Sequence, residues 1–167
     1  RALRLLSVGA DTDPRLAKSV ALLRTNLDAR ETKRTDQTAK ASAKLDKILA
    51  GDRDDISLSL ALRTAVELHM LATDKEAFLR QGRTAGVIRD AETAAKAAET
   101  RGDWLTANDL YSRLNLLLEE KGLYKDDTKR EMQRLTMIRL YAPERFWQLR
   151  NNRWNAEIAW KETHKDI

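Results

Sequence analysis

The sequence predicts an all-α protein built as stacked antiparallel helical hairpins, either a right-handed array or an irregular helical bundle. Three observations predict it. Apolar residues recur at three- and four-residue steps in most segments, and no stretch shows sustained strand alternation. The composition, 34% charged and 42% hydrophobic, is rich in Ala, Leu, Lys, Arg and Glu, the mixture that favours helices. Helix breakers are scarce, with 6 Gly and 2 Pro in 167 residues.

Residues 1–8 read as the end of a helix stopped by Gly9. Asp13 and Pro14 restart the chain, the aspartate as a cap and the proline in a first turn that has no N–H partner to lose. Leu16, Val20, Leu23 and Leu27 follow on one stripe. Residues 30–40 are polar all round and form either an exposed helical stretch or a break. The first hairpin spans about 40–72. Its apolar positions are Ala41, Leu45, Ile48 and Leu49 before Gly51, then Leu58, Ala61, Leu62, Ala65, Leu68 and Ala72. Thr73-Asp74 caps a short helix containing Phe78, which Gly82 ends.

The second hairpin spans about 86–120. Val87, Ala91, Ala94 and Ala98 give its first helix a small-residue face. Gly102-Asp103-Trp104 makes the corner, and Ala107, Leu110, Tyr111, Leu114, Leu117 and Leu118 line the second helix. Final helices are expected at about 126–142 and 143–162. The first begins at Asp126 or Asp127 and carries Met132, Leu135, Ile138 and Ala142; Pro143 opens the second.

Gly51-Asp52 and Gly102-Asp103 lie 51 residues apart. That offset pairs Ile56 with Ala107 and Leu60 with Tyr111. Two helix–GD–helix units are therefore expected to stack, since neither can bury its apolar face alone. The second unit resembles a tetratricopeptide repeat at Gly102, Asp103, Trp104, Ala107 and Tyr111, where that family has a turn aromatic, a small residue three positions later and another aromatic four beyond. The first unit lacks both aromatics.

Length alone makes 1–167 one helical domain or repeat array. The chain opens at Arg1 rather than Met and reads as a piece of a longer protein. It contains no cysteine, which excludes disulfides and thiolate metal sites. No apolar run approaches the ~20 residues of a membrane span. The net charge of +5 divides as +5 in residues 1–50, −3 in 51–124 and +3 in 125–167. Acids and bases are interleaved, the pattern of solvated helix faces rather than of a nucleic-acid patch.

No cluster spells out a reaction, so no catalytic, cofactor or metal residue is expected. His69 and His164 stand apart from any second ligand. The acids of residues 52–55 lack the glycine and glutamate of a calcium loop and read as charge at a helix N-terminus. Ser57, Ser59 and Ser112 have no nucleophile elbow and no evident base. Asp103 reads as a helix cap and Trp104 as a wedge closing the corner.

The last helix carries Phe146, Trp147, Trp154 and Trp160 among Arg145, Arg150 and Arg153. Trp147, Asn151, Trp154 and Ile158 fall on one stripe. Two readings apply. One packs the helix on the array with arginine stems covering the indoles. The other makes Trp147, Arg150 and Trp154 an interaction surface for a protein or peptide, or less favourably for single-stranded nucleic acid.

The run at residues 102–151, together with "LATDKEAFL" at 71–79, resembles the helical region preceding the catalytic part of bacterial carboxyl-terminal processing (tail-specific) serine peptidases. The resemblance implies a non-catalytic helical module of an exported, cell-envelope enzyme, with PDZ and Ser–Lys peptidase portions after Ile167 as its attached partners. It carries no catalytic residue into these positions. A free-standing tetratricopeptide-like adaptor is the alternative expectation.

Overall fold

A computed structural model describes residues 14–167; the helix end expected at 1–8, its stop at Gly9 and the cap at Asp13 lie outside the described residues. Those described form seven α-helices and no strand: α1 Pro14–Ala50, α2 Asp55–Leu71, α3 Lys75–Arg80, α4 Gly82–Arg101, α5 Trp104–Leu117, α6 Lys125–Tyr141 and α7 Pro143–Thr163. A single 3-10 turn, Glu119–Lys121, follows α5. The protein is all-α, as the periodicity predicts. The described residues divide into two compact units, one ending at Lys40 and the other spanning 41–167.

In the first unit the described residues belong to α1. Residues 30–40, which the sequence leaves open between helix and break, are helical. The polar side chains of this stretch are satisfied along the helix itself. Thr32, Thr35 and Thr38 each donate to the carbonyl four residues back, and Glu31 pairs with Arg34 one turn on. No Gly or Pro interrupts the stretch. Of the stripe expected here, Val20 is buried, whereas Leu23 and Leu27 remain exposed.

The second unit has one apolar core. Leu45 and Ile48 from the end of α1 join the inner faces of α2, α4 and α5, with Phe78 from α3 and Trp160 from α7. α4 and α5 form the central hairpin, α2 packs on both, α6 packs on α5, and α7 packs on α2, α5 and α6. α4 presents Val87, Ala91, Ala95 and Ala98; the expected Ala94 is only half-buried, because the stripe advances to Ala95. Small side chains there let α2 and α5 approach closely.

Helix ends follow local chemistry. Asp54, Asp74 and Asp103 cap α2, α3 and α5, each carboxylate accepting from the backbone N–H three residues on. Gly102 at φ 71 ends α4. Its N–H reaches Glu99 O and the Asp103 N–H reaches Ala98 O, the paired bonds of a Schellman turn that needs a left-handed residue. Pro143 occupies the first turn of α7. Gly82, expected as a stop, is instead the first residue of α4. Gln81 at ψ 134 already breaks the chain after Arg80.

The two hairpins are related by a different offset from the one the glycines imply. Asp54 and Asp103, the capping residues, are 49 positions apart. On that register Leu58, Ala61, Leu62, Ala65 and Leu68 correspond to Ala107, Leu110, Tyr111, Leu114 and Leu117. All ten are buried. The 51-residue pairing of Leu60 with Tyr111 fails because the two corners differ. Two extra residues, Arg53 and Asp54, follow Gly51-Asp52 before α2 begins, whereas α5 begins directly after Asp103.

α6 is also turned relative to expectation. Met132 and Ala142 are exposed, Leu135 is half-buried, and Glu131 and Ile138 are buried. The rotation is set by charge. Arg130 and Arg134 reach Glu99 on α4 at 3.1 and 2.7 Å, and both also donate to Glu131 Oε1. Burial raises the Glu131 carboxyl above the ordinary carboxylate range, against the pull of both arginines. At Glu99 burial also pushes upward, but its hydrogen bond to Arg134 and the Arg130 charge outweigh it and hold the carboxyl low.

Candidate functional site

The corner at Gly102-Asp103-Trp104 is built into the packing. Asp103 is engaged with the Thr106 N–H. Trp104 lies under the Arg145 guanidinium, 4.7 Å from ring centroid to charge. The indole thus joins the α4–α5 corner to the first turns of α7. Ala107 and Tyr111 are core residues. The Tyr111 ring stacks on Tyr124 at 6.1 Å, and its hydroxyl reaches Glu99 at 3.4 Å. Burial first, then the Glu99 charge, raises the Tyr111 phenol to about 12. These five residues define architecture.

α7 has two faces. Toward the core, buried Trp160 donates from its indole N–H to Ser57 Oγ at 2.8 Å and stacks on His164 at 4.2 Å. Arg153 points the same way. It donates to Asp109 at 2.7 Å, Thr106 at 3.1 Å and Glu157 at 3.1 Å. Asp109 also accepts from Arg113 and, at 2.5 Å, from the Ser59 hydroxyl. Burial opposes ionisation of Asp109, but its hydrogen bonds to Arg113 and Ser59 and the charges of Arg113 and Arg153 overcome it and keep the carboxyl below its ordinary range. The cluster clamps α7 to α5 and, through Ser59, to α2. An aspartate held as an anion by two arginines is a poor base for the serine, so no nucleophile is generated here.

The outward face is different. Trp147 is 55% exposed, Trp154 65% and Ile158 42%. These positions and Asn151 were the stripe legible in the sequence. Arginines do lie on rings in this region: Arg150 over Trp147 at 5.5 Å, and Arg139 over Phe146 at 6.0 Å. They leave both Trp147 and Trp154 more than half open, so the packing reading describes Trp160 and not these two indoles.

Between α5 and α7 lies a cleft of about 450 Å³. Leu105 and Asp109 on α5 face Phe146, Arg150, Trp154 and Glu157 on α7 across it. Arg150 and Trp154, two of the three surface residues singled out in the sequence, line this cleft. Trp147 stands beside it, edge-on to Phe146 at 5.7 Å. The contribution of α5 to the cleft was not legible, because Leu105 and Asp109 lie on a helix whose pattern signals only core.

Other hollows carry less chemistry. One of about 360 Å³ is lined by the capping aspartates Asp54 and Asp103 with Leu149 and Arg153, and both carboxylates are engaged by their own helices. A third, of about 240 Å³, holds His69, Met70, Lys75 and Leu116. Burial, then the Lys75 charge, lowers the His69 pKa, and its ring packs 6.0 Å from Phe78. Among the described residues no group of His, Asp and Glu is arranged to hold a metal ion, and no helix is long and apolar enough to cross a membrane.

The fold and the cleft define a class: a helical-hairpin protein with an aromatic and cationic outer face on its last helix. No family model, curated protein or solved structure matches the chain.

Proposed function

We propose that this protein is a non-catalytic helical scaffold and interaction module that engages a protein or peptide through the outer face of α7. The observation that carries the reading is the exposure of Trp147 and Trp154 on either side of Arg150, at the mouth of a cleft. Trp and Arg are the residue types most often found at the energetic centre of protein contacts. Exposed apolar surface gathered on one face marks interaction sites, and Trp147, Trp154 and Ile158 lie on one stripe of α7.

The resemblance of residues 102–151 to the helical region of carboxyl-terminal processing peptidases makes an attached PDZ and Ser–Lys peptidase the first partner proposed. The coding sequence after Ile167 tests that attribution, and finding neither portion there removes it. The face itself is tested by photo-crosslinking in the native cells. p-Benzoylphenylalanine placed at Trp147 or Trp154 is expected to give discrete adducts. The same group at exposed Arg89 on α4 is expected to give none. Equal labelling, or none at all three positions, overturns the assignment of α7 as the docking face.

A further inference from the structure

The chemistry of the partner can be taken further, resting on the reading of α7 as the docking face. We infer that the α5–α7 cleft receives an acidic peptide segment, with a carboxylate on Arg150 and an adjacent Leu- or aromatic-type side chain set between Phe146 and Trp154.

The first ground is charge. Within residues 41–167 most arginines are committed to carboxylates, as Arg53 is to Asp90, Arg83 to Asp46, Arg101 to Asp55 and Arg113 to Asp109. Three differ. Arg139, Arg145 and Arg150 lie over the rings of Phe146, Trp104 and Trp147. None of them joins an ion pair among the described residues. All three sit along the end of α6 and the first half of α7. A guanidinium stacked on an indole keeps its N–H fork free for a planar carboxylate, and the ring holds it in place beforehand.

The second ground is the lining. Leu105 and Phe146 give the cleft apolar walls, and Trp154 stands exposed at its edge. The two acids there, Asp109 and Glu157, are both bound by Arg153 at 2.7 and 3.1 Å. Arg150 is therefore the cleft charge left without a counter-ion. Among the described residues the cleft offers one unpaired cation, which suits a single carboxylate better than a nucleic-acid strand carrying a phosphate at every nucleotide. A peptide places one carboxylate where Arg150 is and an uncharged side chain where the acids are.

A selection of random twelve-residue displayed peptides against the folded 167-residue chain tests the inference. Enriched peptides are expected to carry Asp or Glu next to Leu, Phe or Trp. The best of them, made synthetically, is expected to quench tryptophan fluorescence on binding. Arg150→Ala and Trp154→Ala are each expected to weaken its Kd about ten-fold, with melting unchanged because both side chains are exposed. Arg150→Glu is expected to weaken it further, and a twenty-residue oligothymidine is expected not to displace it. Neutral or basic selected peptides, no enrichment, equal binding by the variants, or displacement by oligothymidine each overturn the inference. Adducts at positions 147 and 154 alongside any of those results leave the docking face standing and remove only its proposed ligand.

Discussion

Replacing Leu114 with alanine removes three carbon atoms from a side chain that is 0% exposed in the centre of α5. At about 0.8 kcal/mol per buried carbon the lost transfer free energy is about 2.4 kcal/mol. The surrounding side chains of α2 and α4 cannot close the space completely, so a cavity term of roughly 1 kcal/mol is added. Leu116, two positions on, is 56% exposed, and its truncation is expected to cost less than about 0.5 kcal/mol. Urea unfolding of the two variants with the wild type measures both values. For a unit of this size the Leu114 change corresponds to a fall in melting temperature on the order of 10 °C. The contrast also tests which face of α5 is inward, the face that the two offsets match differently to α2. A 49-residue offset places Leu114 opposite buried Ala65, whereas the 51-residue offset places it opposite exposed Arg63. Equal destabilisation by the two substitutions would refute the assignment of the inner face of α5. So would a negligible effect at Leu114.

Two further outcomes follow from the corners and the clamp. Gly102→Ala forces a Cβ into a left-handed residue, at 3.0 Å from an Arg145 nitrogen, and is expected to destabilise by about 1–2 kcal/mol. Gly86→Ala, in mid-helix with nothing within 4 Å, is expected to stabilise by about 0.5–1 kcal/mol; thermal melts that show the same sign for both would contradict the turn geometry. The carboxyl of Asp109 is held low in the fold, so its contribution is present above the ordinary Asp value of about 3.9 and drains away as pH falls below it. The stability gap between wild type and Asp109→Asn in urea titrations is therefore expected to be widest near neutrality and to narrow toward pH 3. A gap independent of pH would show that the Arg113 and Arg153 pairs contribute nothing through charge.

How much of the site was legible depended on the kind of signal each part leaves. Trp147, Arg150 and Trp154 stand out in the sequence because indoles on a polar helix are unusual. Their α5 counterparts do not, since Leu105 and Asp109 look like ordinary members of an amphipathic helix. Trp160 falls off their stripe by helical spacing, but that its face meets Ser57 and the core is decided only by the tertiary packing.

The sequence by itself determined the helical class, the caps at Asp74 and Asp103 and the Gly102 corner. Each depends on backbone chemistry within a few residues: a side-chain acceptor at a helix start, a glycine where φ is positive, a repeated apolar step. Tertiary structure decided what local pattern cannot. The rotation of α6 follows from Glu99, more than thirty positions away, drawing in Arg130 and Arg134. The 49-residue register follows from which faces of α2 and α5 meet in one core. The openness of Trp147 and Trp154 follows from Arg153 having fixed α7 to Asp109 with its other face inward. Long-range contacts select one face of a helix over another by the total apolar area and charge they satisfy, and that sum exists only once the helices have come together.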